Sequence, residues 1–142
     1  MPNMYHPFDS RLEHRALGSA ALTATTVLAT ITQNVGQRTA YRTLVNVEAI
    51  DIANSDEVYT LVVELSSDNF TTVNEVAMMV DFGDTAVRQS GAPDTVAGHE
   101  REILWTTEVN GVKYQYARLK LFVAGTSPSI TVGCHSTVLG NV

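Results

Sequence analysis

A single cysteine, Cys134, is all the thiol chemistry in 142 residues, so no intramolecular disulfide can staple the chain and a disulfide-dense scaffold is excluded. It reads as a small core residue. Cations are also scarce: nine Lys and Arg stand against fifteen Asp and Glu, giving a net charge of -6 and a pI near 5.0. Those nine are scattered, which argues against a protein held on nucleic acid by neutralising phosphates. No run approaches the roughly 20 apolar residues of a membrane span. The opening MPNMYHPFDSRLEHR lacks the apolar run of a signal peptide, so a soluble protein without nucleic-acid or membrane partners is expected.

Reactive constellations are missing as well. His6, His14, His99 and His135 are far apart, two of them near the start, and offer no convergent donor set, so neither metal nor other cofactor is expected. There is no G-x-S-x-G elbow, P-loop or G-x-G-x-x-G. Asp51, Asp56, Glu57, Asp68, Asp81, Asp84 and Asp94 fall at strand ends and turns, where Asp hydrogen-bonds its own backbone. A glycosidase would need two carboxyls facing one cleft. Ser66 and Ser67 precede Asp68 without a base in sight. The chain is expected not to be an enzyme.

What is abundant is strand-forming sequence. Thr, Val, Ile, Leu and Tyr dominate 17–22, 25–33, 42–51, 58–66, 75–82, 101–108, 112–123 and 129–138, with Gly, Asn, Asp, Ser and Pro between them. Asn110-Gly111 marks a two-residue hairpin turn, because both positions of that turn need positive φ. Eight strands with short turns and one longer loop, GDTAVRQSGAPDTVAGH, predict an all-β fold. The expected form is an antiparallel two-sheet sandwich, a jelly roll of about eight strands over residues 16–142, with an immunoglobulin-like sandwich as the rival.

Residues 1–15 read as an extended N-terminal arm. Met4, Tyr5, Phe8 and Leu12 are apolar anchors along it, a form suited to ordering against a neighbour. The spacing of Ser10 and Glu13 also permits a short helix through DSRLEHRAL.

In 112–123 the two-residue period puts Ala117, Leu119, Leu121 and Val123 on one face and Tyr114, Tyr116, Arg118, Lys120 and Phe122 on the other. The first face reads as core, as do Leu61, Val63 and Leu65 of 58–66. The second, aromatic and cationic, either covers the protein's own loops or meets a partner. Tyr and Arg are enriched where interfaces bury surface, so Tyr114, Tyr116 and Arg118 join Tyr5, Phe8 and Leu12 as candidate partner-binding residues.

The segments DIANSDEVYTLVVELSSDNF, VDFGDTAVRQSGAPDTVAGHEREI and NGVKYQYARLKLFVAGTSPSITV occur in that order. Their pattern resembles the jelly-roll cement, or decoration, proteins of tailed-bacteriophage heads, of the kind found in a Bordetella-infecting phage. The resemblance implies a non-enzymatic virion protein on the outer surface of the capsid, made in the host cytoplasm. Its implied partners are the major capsid protein and further copies of itself, as dimers or trimers at capsid symmetry axes. The competing expectation is a carbohydrate- or receptor-binding β-sandwich of a phage tail or adhesion structure, with Trp105, Tyr114 and Tyr116 as a stacking platform.

Overall fold

The computed structural model describes residues 12–141. Ten strands follow one another: β1 (Glu13–Arg15), β2 (Thr26–Thr32), β3 (Thr39–Ile50), β4 (Val58–Ser66), β5 (Glu75–Gly83), β6 (Glu100–Thr106), β7 (Glu108–Val109), β8 (Val112–Lys113), β9 (Tyr116–Ala124) and β10 (Ile130–Asn141). One sheet runs β1-β10-β3-β6 and the other β2-β9-β4-β5, all antiparallel. The pairing of β1 with β10, β2 with β9, β3 with β6 and β4 with β5 is that of one long hairpin rolled over itself. That is the jelly roll, with β7 and β8 added as a small hairpin.

Alternation explains the core. Tyr59, Leu61, Val63 and Leu65 of β4 and Ala117, Leu119 and Leu121 of β9 face inward from the second sheet. They meet Tyr41, Val45, Val47, Ile103, Trp105, Ile130, Val132 and Cys134 of the first. Six of the seven residues expected in the core are fully buried; Val123 packs against it, partly buried. Burial pushes the Cys134 thiol up to about 12, the behaviour of an inert core residue.

The Asn110-Gly111 turn joins β7 to β8 with φ of 51° and 78°. Gly125 opens the β9–β10 loop at φ +111°, where a Cβ would lie 2.6 Å from the Asp56 carbonyl oxygen. Only glycine lets those two loops close on each other.

Three expectations are corrected. Residues 17–22 form no strand; a single bridge joins Leu22 to Ile130, and Leu17 lies exposed on the surface. No helix forms over the described part of DSRLEHRAL, because Glu13–Arg15 hydrogen-bonds along β10 as an edge strand. β1 thus lies wholly within residues 1–15 and ends at the expected arm boundary. Third, 112–123 is not one strand: the ladder breaks at Tyr114 and Gln115, between β8 and β9.

Candidate interaction face of the second sheet

The break decides the fate of Tyr114. Leaving the hairpin, the chain donates the Tyr114 amide to Thr107 O at 2.8 Å, and the Tyr114 carbonyl accepts from Gln33 Nε2 at 3.0 Å. The phenol turns inward and is 9% exposed, part of the core cluster. Tyr114 is therefore not on the outer face. Tyr116, Arg118, Lys120 and Phe122 are, since regular alternation starts only at β9.

Across the four strands the outer face is built in rows. Val27, Lys120, Val62 and Met79 lie side by side, as do Thr30, Arg118, Glu64 and Val76. Val27, Val76, Met79 and Phe122 are 44%, 43%, 56% and 38% exposed, while Val62 between them is buried. Four apolar side chains are thus left wet on this face, interleaved with Lys120, Arg118, Glu64 and Thr30, and exposed apolar side chains gathered on one sheet face are a candidate interaction surface. Lys120 Nζ sits 4.7 Å from the Phe122 ring centre, adding cationic character to the patch.

Arg118 is there but already occupied. Its Nε donates to Glu64 Oε1 at 2.6 Å, and its guanidinium lies 4.0 Å above the Phe70 ring. Asn74 Nδ2 donates to the other Glu64 oxygen at 2.9 Å. Burial alone pushes the Glu64 carboxyl up, but the Arg118 and Asn74 hydrogen bonds and the Arg118 and Lys120 charges outweigh it and hold it below its usual value. Nothing in the sequence linked these residues, because Glu64 and Arg118 are 54 positions apart.

The arm residues divide. Leu12 packs against the core and its carbonyl accepts the Ser136 amide at 2.9 Å, so its own fold claims it. Tyr5 and Phe8, with Met4, lie outside the described residues. Trp105 is buried, stacked on Tyr41 at 4.5 Å and donating to Thr43 Oγ1 at 2.8 Å. With Trp105 and Tyr114 both inside, the sugar-stacking platform loses two of its three rings.

One arrangement with a catalytic look was not foreseen. His14 Nε2 and Ser136 Oγ are 2.7 Å apart, and Ser136 Oγ is 2.6 Å from Thr43 Oγ1. Ser136 is 1% exposed, however, and faces the core, so no substrate reaches it. The chain from His14 to Trp105 ties β1 across β10 and β3 to β6. Burial, and then the nearby His135, lower the His14 pKa to about 4. Among the described residues no group of three His, Cys, Asp or Glu is placed to hold a metal ion. The carboxylates foreseen as turn residues behave so: Asp68 accepts from the amides of Thr71, Thr72 and Val73, and Glu57, fully buried, accepts from Asn54 and Asp56.

No protein-family model and no curated protein matches the chain. A chain in the "Structure of infectious bursal disease virus Gx strain" superposes with a TM-score of 0.42 at 6% identity. The match covers 84% of this chain and 26% of that one, so the chain spans about a quarter of that chain's length.

Proposed function

We propose that this chain is a structural protein of a phage head that docks on the outer surface of the shell, bridges neighbouring major capsid proteins and catalyses nothing. The observation that carries the reading is the outer face of the second sheet, where Val27, Val76, Met79 and Phe122 stay exposed. A cement must present such a surface to several neighbours, and repetition over the shell multiplies weak contacts into firm attachment. The segment pattern that resembles cement proteins supports the reading, and so does the net charge of -6, since the outside of a DNA-filled shell calls for no phosphate contact. The carbohydrate-binding alternative draws no support from the structure, because its aromatic platform is dismantled.

A ligand that prefers the assembled state shifts the equilibrium toward it. About 1–2 kcal/mol per copy, the scale of one or two hydrogen bonds, then accumulates over the many copies on a shell. Heads prepared without the protein should assemble but release DNA at lower temperature than complete heads. Equal release temperatures would overturn the stabilising role.

A further inference from the structure

Where β5 of the second sheet passes β6 of the first, the flank of the sandwich holds a cleft of about 380 Å³. Val58, Met79, Val80 and Val87 give it an apolar wall, and Asp81, Gln89 and Arg101 bring polar groups to it. An apolar concavity of this size with a few polar groups is the usual form of a ligand site. It opens beside the outer face: Met79 belongs to both, and the row Phe122, Thr60, Asp81 runs across the sheet into it.

Arg101 is the unusual member. It lies opposite Val45, a core residue, so it leaves β6 on the side that Ile103 and Trp105 turn inward. It is partly buried, yet among the described residues its guanidinium makes no hydrogen bond or ion pair. The acid that shares the cleft is already taken. Asp81 Oδ2 accepts the Gln89 amide at 2.9 Å, and Oδ1 lies 3.5 Å from Arg88 Nη2. Arg88 itself is short of acceptors: its side chain is 5% exposed and its Nε is buried without a partner. After burial, the charges of Arg88 and Arg101 are what hold the His99 pKa below its usual value, so the local field is positive in a chain of net charge -6.

We propose that this cleft takes a glutamate side chain of the protein that the outer face meets, with the carboxylate on the Arg101 guanidinium and the stem against Val80, Val87 and Met79. The occupant's source rests on the docking reading above; its chemistry follows from the cleft. A guanidinium presents donors in a fork that fits a carboxylate, and a partly buried cation without a counter-ion lacks just that group. The neighbouring charges agree. Glu64 and Asp81, the acids of this face, are matched by Arg118 and Arg88, which leaves Lys120, over the Phe122 ring, and Arg101 uncompensated. An acidic partner surface complements that remainder.

The first test is a titration of the full chain with hexanoate at constant ionic strength, followed by NMR. For a ligand of this size a Kd of about 20 mM or tighter is expected, with shifts centred on Val58, Val87, Gln89 and Arg101. Hexanol, which has the stem without the charge, should bind at least about tenfold more weakly, and so should hexanoate to Arg101→Met. No binding, equal affinity for the two ligands, shifts centred elsewhere, or undiminished binding by the variant would overturn the site. The comparison with hexanol uses the native protein, so it decides even if Arg101→Met does not fold. On heads, Arg101→Met should lower occupancy at least about tenfold. Undiminished occupancy would overturn the partner's glutamate as occupant and leave the docking reading standing. Failure of the native protein to bind heads would instead remove the docking reading and that occupant together, with the hexanoate titration still deciding whether the cleft binds carboxylates.

Discussion

Replacing Arg118 with Ala separates a residue that holds the fold from one that holds a partner. Glu64 is 6% exposed and its carboxylate has two charged or polar partners, Arg118 at 2.6 Å and Asn74 at 2.9 Å. Deleting one member of a buried pair costs about 3–5 kcal/mol, because the other charge stays buried and unpaired. The Arg118 side chain is 21% exposed, so water relieves part of this, and a loss of about 2–4 kcal/mol is expected. The control is Arg42→Ala. Arg42 and Glu102 also meet, at 2.7 Å, but their side chains are 50% and 46% exposed, and such pairs are worth about 0–1 kcal/mol. Urea denaturation at pH 7 compares the two.

The deficit should also depend on pH. Without Arg118, a hydrogen bond and a charge that oppose burial are lost, so the Glu64 carboxyl rises from its lowered value and the folded variant takes up a proton at higher pH than the folded native protein. The variant's deficit then shrinks as the pH falls through the carboxylate range. Adding Glu64→Gln should recover part of the loss at pH 7. A loss under about 0.5 kcal/mol, or one no larger than that of Arg42→Ala, would refute the reasoning.

Leu121→Ala, at the centre of the core, should cost about 2–5 kcal/mol in the same assay, and a loss below about 0.5 kcal/mol would mean the two faces of β9 are exchanged. Met79→Asp with Phe122→Asp should change stability by about 0.5 kcal/mol or less, as exposed substitutions do, yet reduce occupancy on heads at least about tenfold; undiminished occupancy would remove the outer face from the interface. His14 is neutral in the fold, with a pKa lowered to about 4 from 6.5. Between those values the unfolded chain binds a proton that the folded one refuses, so stability is full above pH 6.5 and falls by at most about 3 kcal/mol toward pH 4. His14→Gln should flatten that part of the pH profile, and an unaltered profile would contradict it.

The sandwich was legible because β9 alternates and β4 carries Tyr59, Leu61, Val63 and Leu65 on one face, and because Asn110-Gly111 can be little else than a turn. Its failures share a cause. Alternation predicts a face only while the ladder is unbroken, and the two-residue break at Tyr114 and Gln115 sends the Tyr114 ring inward, opposite to its expected side. At Glu13–Arg15 the capping-box spacing competed with an available sheet edge, and pairing with β10 prevailed over local helix propensity. The outer face was half legible. Tyr116, Arg118, Lys120 and Phe122 were placed on it, but Val27, Val76 and Met79 join them only through pairings across the sheet, and the capture of Arg118 by Glu64 has no local signature.

The central claim, attachment to the outside of a head at junctions between major capsid proteins, is tested most directly by a cryo-electron microscopy map of the particle that carries this chain. The reading predicts jelly-roll density on the outer surface over those junctions, with the Val27, Met79 and Phe122 face against the shell. Density at the tail tip, or a bare head with the protein bound elsewhere, would contradict it.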